Sequence, residues 1–229
     1  MFVVKRLTFL KRHPALTRAG FSQHYEHVHG PLAAAQPGFR RFAYRYIQNH
    51  VERSFLDDEE PLFDGITTTF QAPRPNYRQG FFQHPDYANV RSDEERLFDL
   101  AGTVSILGEE RILRGEMAPL GRAKAVILSA ADGHTSLTDV ATRGIQACVR
   151  NDLDLGSASA LGGGNAPFPH RRLWELWFGS PDARLVACRD RRFIENLCGR
   201  DAGGEVALGV REIVIFSYPP PIQQERVLA

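Results

Sequence analysis

Five histidines fall within the first fifty residues of this 229-residue chain: His13, His24, His27, His29 and His50. An imidazole titrates near neutral pH, so it can take up or give back a proton during a reaction. His24, His27 and His29 belong to the run Thr-Arg-Ala-Gly-Phe-Ser-Gln-His-Tyr-Glu-His-Val-His-Gly-Pro-Leu, and His50 closes Tyr46-Ile47-Gln48-Asn49-His50. His29 and His50 are the preferred acid–base pair, with Tyr46 as the third catalytic candidate. Tyr25, Gln48 and His24 are candidates for holding a phenol or carbonyl. The structural alternatives stand beside this reading: His29 can tie the helix end to the sheet, His50 can lie on an exposed strand face, and His27 reads as solvated. A zinc site is set aside. Positions i, i+3 and i+5 of a helix do not converge on one point, and no matching carboxylate or Cys cluster accompanies them.

The elements that position these residues follow from spacing. Thr17 can cap a helix over 17–36, in which Phe21, Tyr25, Val28 and Leu32 form one apolar stripe with His29 on its buried side. Pro37-Gly38 makes a turn into a strand over 41–51. Side chains alternate along a strand, so Phe42, Tyr44, Tyr46, Gln48 and His50 share one face, while Arg45 lies on the other. A strand over 2–10 precedes this unit. A strand over 65–71, one or two helices over 85–100 with Asp93-Glu94-Glu95 near the start of the second, and a strand over 103–113 follow it. The acidic stretch 54–61 and the turn-rich stretch 73–80 read as loops.

A similar series then recurs. A strand over 124–130 leads to a helix over 136–150, with Leu137, Val140, Ala141, Ile145, Cys148 and Val149 as its apolar positions. A weak strand over 156–161 is followed by Gly162-Gly163-Gly164, read as flexible linker because it lacks the context of a phosphate loop. Strand 171–178 places Trp174 and Trp177 on opposite faces, one under helices and Trp177 toward a cavity with Glu175. A buried Glu175 can have a raised pKa and donate a proton, or pair with Arg171 or Arg172. A helix over 181–197, a strand over 206–218 and an extended Pro-rich tail complete the chain. The expected fold class is therefore α+β. Two ferredoxin-like βαββαβ repeats, residues 1–115 and 122–229, would form a pseudo-dimeric α+β barrel in one chain, with a cavity between the sheets.

The totals set outer limits. Net charge is +1, apolar content 43% and charged content 24%, so no broad basic footprint points to nucleic acid. Cys148, Cys188 and Cys198 lack metal spacing and read as free thiols of a reducing compartment. No apolar run has the length of a membrane span. The expectation is a cytoplasmic protein with neither nucleic-acid nor membrane partner.

The motifs Lys11-Arg12-His13-Pro14-Ala15-Leu16-Thr17, Phe21, His24-Tyr25-Glu26-x-Val28-His29-Gly30-Pro31-Leu32 and Tyr46-x-Gln48-x-His50 resemble the EthD family, as does Asp64-Gly65-Ile66. Leu173 to Pro181 is similar to the same family's strand-to-helix passage, but the second half has no counterpart of the His-x-Pro or Gln-x-His motif. The resemblance implies the dimeric α+β barrel group, which includes cofactor-free monooxygenases, cyclases, dehydratases and decarboxylases of aromatic compounds, and some haem enzymes. A haem needs one axial histidine, which the chain can supply, but nothing further in the sequence supports it. The expected function is a lyase without cofactor or metal. It would act on a small aromatic, phenolic compound by decarboxylation, dehydration or cyclisation. Arg45 or Arg171 can pair with a substrate carboxylate, and Trp177 and Glu175 can contact substrate. The alternatives are a cofactor-free monooxygenase on a phenol and a non-catalytic binder of aromatic ligands. One chain can complete the barrel, and association into a homodimer is optional.

Overall fold

Alternation along eight strands decides the architecture. The computed structural model describes residues 4–56, 60–71, 84–115, 122–130, 143–198 and 205–218. Its strands are β1 (Val4–Leu10), β2 (Ala43–Ser54), β3 (Gly65–Gln71), β4 (Val104–Arg114), β5 (Ala123–Ser129), β6 (Ile145–Ala160), β7 (Arg172–Phe178) and β8 (Val206–Ser217). They form one closed antiparallel barrel in the order β1-β3-β2-β8-β5-β7-β6-β4. The first four strands thus lie as β4-β1-β3-β2 and the last four as β8-β5-β7-β6. The two sets meet at the β2–β8 and β4–β6 ladders.

The inward side chains fill the barrel. Leu7, Phe9, Ile66, Val126, Leu128 and Leu208 belong to one buried cluster drawn from both sets of strands. Each such burial contributes about 1.5–3 kcal/mol. Next to this apolar centre lies a buried ionic network. Glu175 pairs with Lys5 and, at 2.8 Å, with Lys124. Lys124 also reaches Asn49 Oδ1 at 2.8 Å, and Asn151 donates to Glu175 at 3.0 Å. The expected cavity between the two sheets is therefore corrected: that space is packed. Glu175 is corrected too. Burial alone would raise its carboxyl, but the two lysines outweigh that and hold it far below the usual range, so it is an ionised partner and no proton donor. Its partners are lysines and not Arg171 or Arg172.

Helices cover the outside of the barrel. Over the first set lie α1 (Arg18–His24), a π-helical turn (Tyr25–His29), α2 (Gly30–Ala35), α3 (Pro37–Phe42) and α4 (Tyr87–Leu97). Thr17 caps α1 by accepting from the Gly20 N–H at 3.1 Å. The π turn has a chemical reason. Pro31 has no N–H and its ring would crowd the carbonyl four residues back, so a regular helix fails there. The Gly30 N–H bonds instead to Tyr25 O. The wider turn moves the apolar stripe: Phe21, Tyr25 and His29 are buried, but Val28, expected in the stripe, is 46% exposed. Pro37-Gly38, expected as a turn, begins helix α3.

Over the last set lie α5 (Pro181–Arg189) and α6 (Arg191–Cys198), which break at Asp190 where a single helix was expected. They pack on the outward side of β5 and β7 through Trp174, Leu176, Phe178, Phe193 and all three cysteines, which are free and buried. The expected helix over 136–150 is corrected at its end. Residues from Ile145 are strand, continuous through the stretch expected as a separate weak strand, so β6 runs to Ala160. The remainder of that helix, the turn-rich stretch 73–80 and the tail lie outside the described residues. Among the described residues no helix is long and apolar enough to cross a membrane.

Candidate active site

The open space lies outside the barrel, between the outward face of β1, β3 and β4 and the helices above them. It is a cavity of about 600 Å³. Arg6, Thr8, Thr67, Thr69 and Ser105 rise from its sheet floor, and Phe39 and Phe98 supply aromatic wall. The last set of strands closes one side with Ser159 to Gly164. Gly162-Gly163-Gly164, expected as linker, is thus cavity wall. Gly163 and Gly164 have φ of +102° and +87°, which favours glycine, and the loop is held by Gly162 N–H to Leu100 O at 3.0 Å.

His29 lines this cavity at the end of the π turn. Its Nδ1–H donates to Asp93 Oδ2 at 3.0 Å, which leaves Nε2 as the nitrogen available to a ligand. Asp93, on α4, is 1% exposed. Burial pushes its carboxyl up, but hydrogen bonds from His29 and His24 outweigh this and hold it below the usual aspartate range. An ionised Asp93 fixes the tautomer of His29 and stabilises the imidazolium that forms when Nε2 takes a proton. Glu94, the next residue, also lines the cavity. Burial raises its carboxyl, and the Tyr87 hydroxyl donates to its Oε2 at 2.7 Å. A base and a carboxyl whose burial favours its protonated form therefore border the same space.

The strand face of Tyr46, Gln48 and His50 carries a different arrangement. Gln48 Nε2 donates to Tyr25 O at 2.7 Å and to Tyr46 Oη at 2.9 Å. Its Oε1 must then accept from His50 Nε2–H, at 3.1 Å, and His50 Nδ1 accepts from the Ser22 hydroxyl at 2.8 Å. Both nitrogens of His50 are engaged and the ring is not on the cavity wall. Burial, with help from the charge of Arg211, lowers its pKa to about 4, so it is neutral at pH 7. Of this face only Tyr46 reaches the cavity, and burial keeps its phenol protonated. Close docking of Gln48 needs Gly30, where a Cβ would stand 2.8 Å from Gln48 Nε2.

The structure brings His29 and Tyr46 together on the cavity wall. It places Tyr25 and Gln48 behind the wall, with the Tyr25 ring 4.9 Å from His50 and its hydroxyl bonded to Thr67. His24 stands on the solvent side of Asp93, 2.7 Å from Oδ1. Arg45 is buried over the Phe70 ring, and Trp177 lies beneath Lys124 inside the barrel, both away from the cavity. Glu175 is in the barrel network described above. Arg171 is exposed. The residues missed from sequence are Asp93, Glu94 and Tyr87. Tyr87, Val90, Glu94 and Leu97 recur at helical spacing, and that pattern could have shown the acids on a buried helix face. Among the described residues no group of three or more His, Cys, Asp or Glu side chains is placed to hold a metal ion.

Comparisons with known proteins agree with this layout. Residues 13–101, which carry the helical cover and most of the cavity wall, match the family model of the EthD domain. No curated protein matches the chain. A structure from Fusobacterium nucleatum subsp. nucleatum, provisionally named a monooxygenase, aligns over 93% of this chain and 93% of its own, at 8% identity and a TM-score of 0.51. A provisionally named monooxygenase from Lactobacillus acidophilus aligns over 93% of this chain and 96% of its own, at 6% identity and a TM-score of 0.47. The first likeness shows a common fold.

Proposed function

Given that this chain carries an EthD domain, we propose that it is an enzyme of proton-transfer chemistry acting on a small aromatic or phenolic compound, and that its reaction is a lyase-type elimination. The observation that carries this reading is the pairing of the Asp93-backed His29 with the buried Glu94–Tyr87 acid on one cavity wall. In a dehydration, His29 Nε2 takes a proton from carbon, Glu94 gives one to the departing hydroxyl, a C=C bond forms and water leaves. Aromatisation of the ring would draw the reaction forward. Decarboxylation or ring closure would use the same donor to protonate carbon or oxygen. The aromatic walls and the hydroxyl floor suit a flat molecule with several oxygen substituents.

A second reading is a cofactor-free monooxygenase, in which His29 makes a phenolate that reacts with oxygen. The name given to the Fusobacterium relative favours it. Mass spectrometry of products from phenolic acids and anthrone-like alcohols, in air and under argon, separates the two. A product lighter by water or carbon dioxide in both atmospheres supports the lyase, and a product heavier by oxygen only in air supports the monooxygenase. The matching order of strands within each set of four also supports reading the chain as two fused ferredoxin-like halves, 1–115 and 122–229, of which the first carries His29 and Tyr46 and the second adds one wall of the cavity.

A further inference from the structure

Asp93 serves two imidazoles at once. His29 Nδ1 binds Oδ2 at 3.0 Å from the cavity side, and His24 Nε2 binds Oδ1 at 2.7 Å from the solvent side. The side chains differ sharply in exposure: 35% for His24, 8% for His29 and 1% for Asp93. His24 does not line the cavity. We propose that His24 is a positioning and tuning residue for His29, acting through the shared carboxylate.

The argument is electrostatic. With both rings neutral, each donates one N–H to an ionised Asp93, and the whole negative charge is available to support a proton arriving on His29 Nε2. His24 is the more exposed ring of the two, its Nε2 is the nitrogen on Asp93, and an imidazole can carry a second proton. An imidazolium at His24 neutralises Asp93 and adds a like charge near His29. His29 then becomes a weaker base without any movement of the chain. Two ionisable groups coupled in this way release their protons in joint steps and not as independent sites.

The other charges around the carboxylate are few. Arg96, on the same helix, stands 3.7 Å from Oδ1 and is largely exposed. Glu94 faces His29 from α4, and its own neighbours are Tyr87 and Arg91. His27 and Glu26 belong to the π turn that carries His29, and Glu26 pairs with Arg211 at 2.7 Å. His50, from β2, is engaged by Ser22 and Gln48. Arg96 also links Asp93 to solvent, but as a fixed positive charge, whereas His24 is an imidazole that can gain or lose one.

The proposal deepens the reading of His29 as the base, and its test does not need a substrate. Ring-nitrogen NMR of the full chain with 15N-labelled histidine, recorded against pH, follows each imidazole. In the unaltered protein the His24 and His29 curves are expected to be mutually displaced, each carrying an inflection at the other's midpoint. In His24→Gln, whose amide can still donate to Asp93, the His29 midpoint is expected to rise by about half a pH unit or more and its curve to become a single step. In Asp93→Asn the coupling is expected to vanish. A His29 curve unchanged by His24→Gln overturns the proposal. Coupled curves in a protein that turns over none of the aromatic compounds would instead leave the tuning intact and remove the proposed function. A kcat/KM profile whose acid limb shifts in His24→Gln, with KM at high pH unchanged, joins the two.

Discussion

The two sheet–helix layers have the same strand order and opposite contents. On β1–β4 the outward side chains are polar, among them Arg6, Thr8, Tyr46, Thr67 and Ser105, and a cavity of about 600 Å³ remains beneath the helices. On β5–β8 the corresponding space is closed by Trp174, Leu176, Phe178, Phe193 and three thiols whose pKa burial pushes up to about 12. One layer retains buried titratable groups at the expense of packing. The other is packed by apolar side chains among the described residues. The difference shows how a single architecture can hold a reactive pocket on one side and a stabilising core on the other.

Substitutions that attack each layer should separate chemistry from stability. The largest expected effect is in the open layer: His29→Gln or Asp93→Asn should lower turnover by roughly 10²- to 10⁴-fold, measured as kcat, with ligand binding retained. In the closed layer Trp174→Ala should cost about 3–5 kcal/mol in denaturant unfolding and leave ligand affinity in the first cavity unchanged. A loss of binding in that variant would break the distinction. Glu175→Gln, inside the barrel that both layers share, should cost about 1–3 kcal/mol, because Lys5 keeps Glu110 and Lys124 keeps Glu212 as a second carboxylate.

Smaller effects sharpen the contrast within the open layer. Gly30→Ala should destabilise by about 1–3 kcal/mol, as its Cβ would press on Gln48 and, at 3.1 Å, on Ile215. Stability should also depend on pH through His50 and His170, each lowered by burial to about 4 in the folded state against 6.5 otherwise. The unfolded chain binds more protons between those values. Their contribution, at most about 3 kcal/mol each, is therefore fully present above pH 6.5 and is lost as pH falls toward 4. His50→Gln should flatten that slope in urea titrations at a series of pH values. It should also spare turnover far more than His29→Gln does.

Much of the frame was legible before the structure. Strand β3 matches the sequence reading at both ends, β1 matches over its described residues, and β4, β5, β7 and β8 differ from theirs by one residue at one end or both. Period-2 alternation and flanking turn residues are local signals. The EthD motifs around His29 were readable for the same reason. Three things were not. The end of the expected helix 136–150 misled because Ile145, Cys148 and Val149 fit helical spacing, while Ile145, Ala147, Val149 and Leu153 equally fit a strand that carries an irregularity between Ile145 and Ala147. The π turn depends on what Pro31 forbids, and it exposes Val28 against the regular period. Asp93 read only as one of three acids near a helix start. Its partnership with His29 joins positions 64 residues apart, which no local pattern contains.

The location of the cavity follows from the same limit. Alternation indicates which side chains share a face, but not which face a second sheet will cover. Tyr46, Gln48 and His50 do share a face, yet it turns toward helices and not into the barrel. Glu175 and Trp177 share the inward face and belong to the ionic network with Lys5 and Lys124.

The central claim is that His29, backed by Asp93, performs the proton transfer in the open layer. Its most direct test is product analysis for the unaltered protein and His29→Gln on the same phenolic panel under argon, with ligand-induced thermal stabilisation measured in parallel. The account predicts a product lighter by water or carbon dioxide from the unaltered protein, almost none from His29→Gln, and equal stabilisation of both. Turnover by His29→Gln within a few-fold of the unaltered protein, or by neither protein unless oxygen is present, would contradict it.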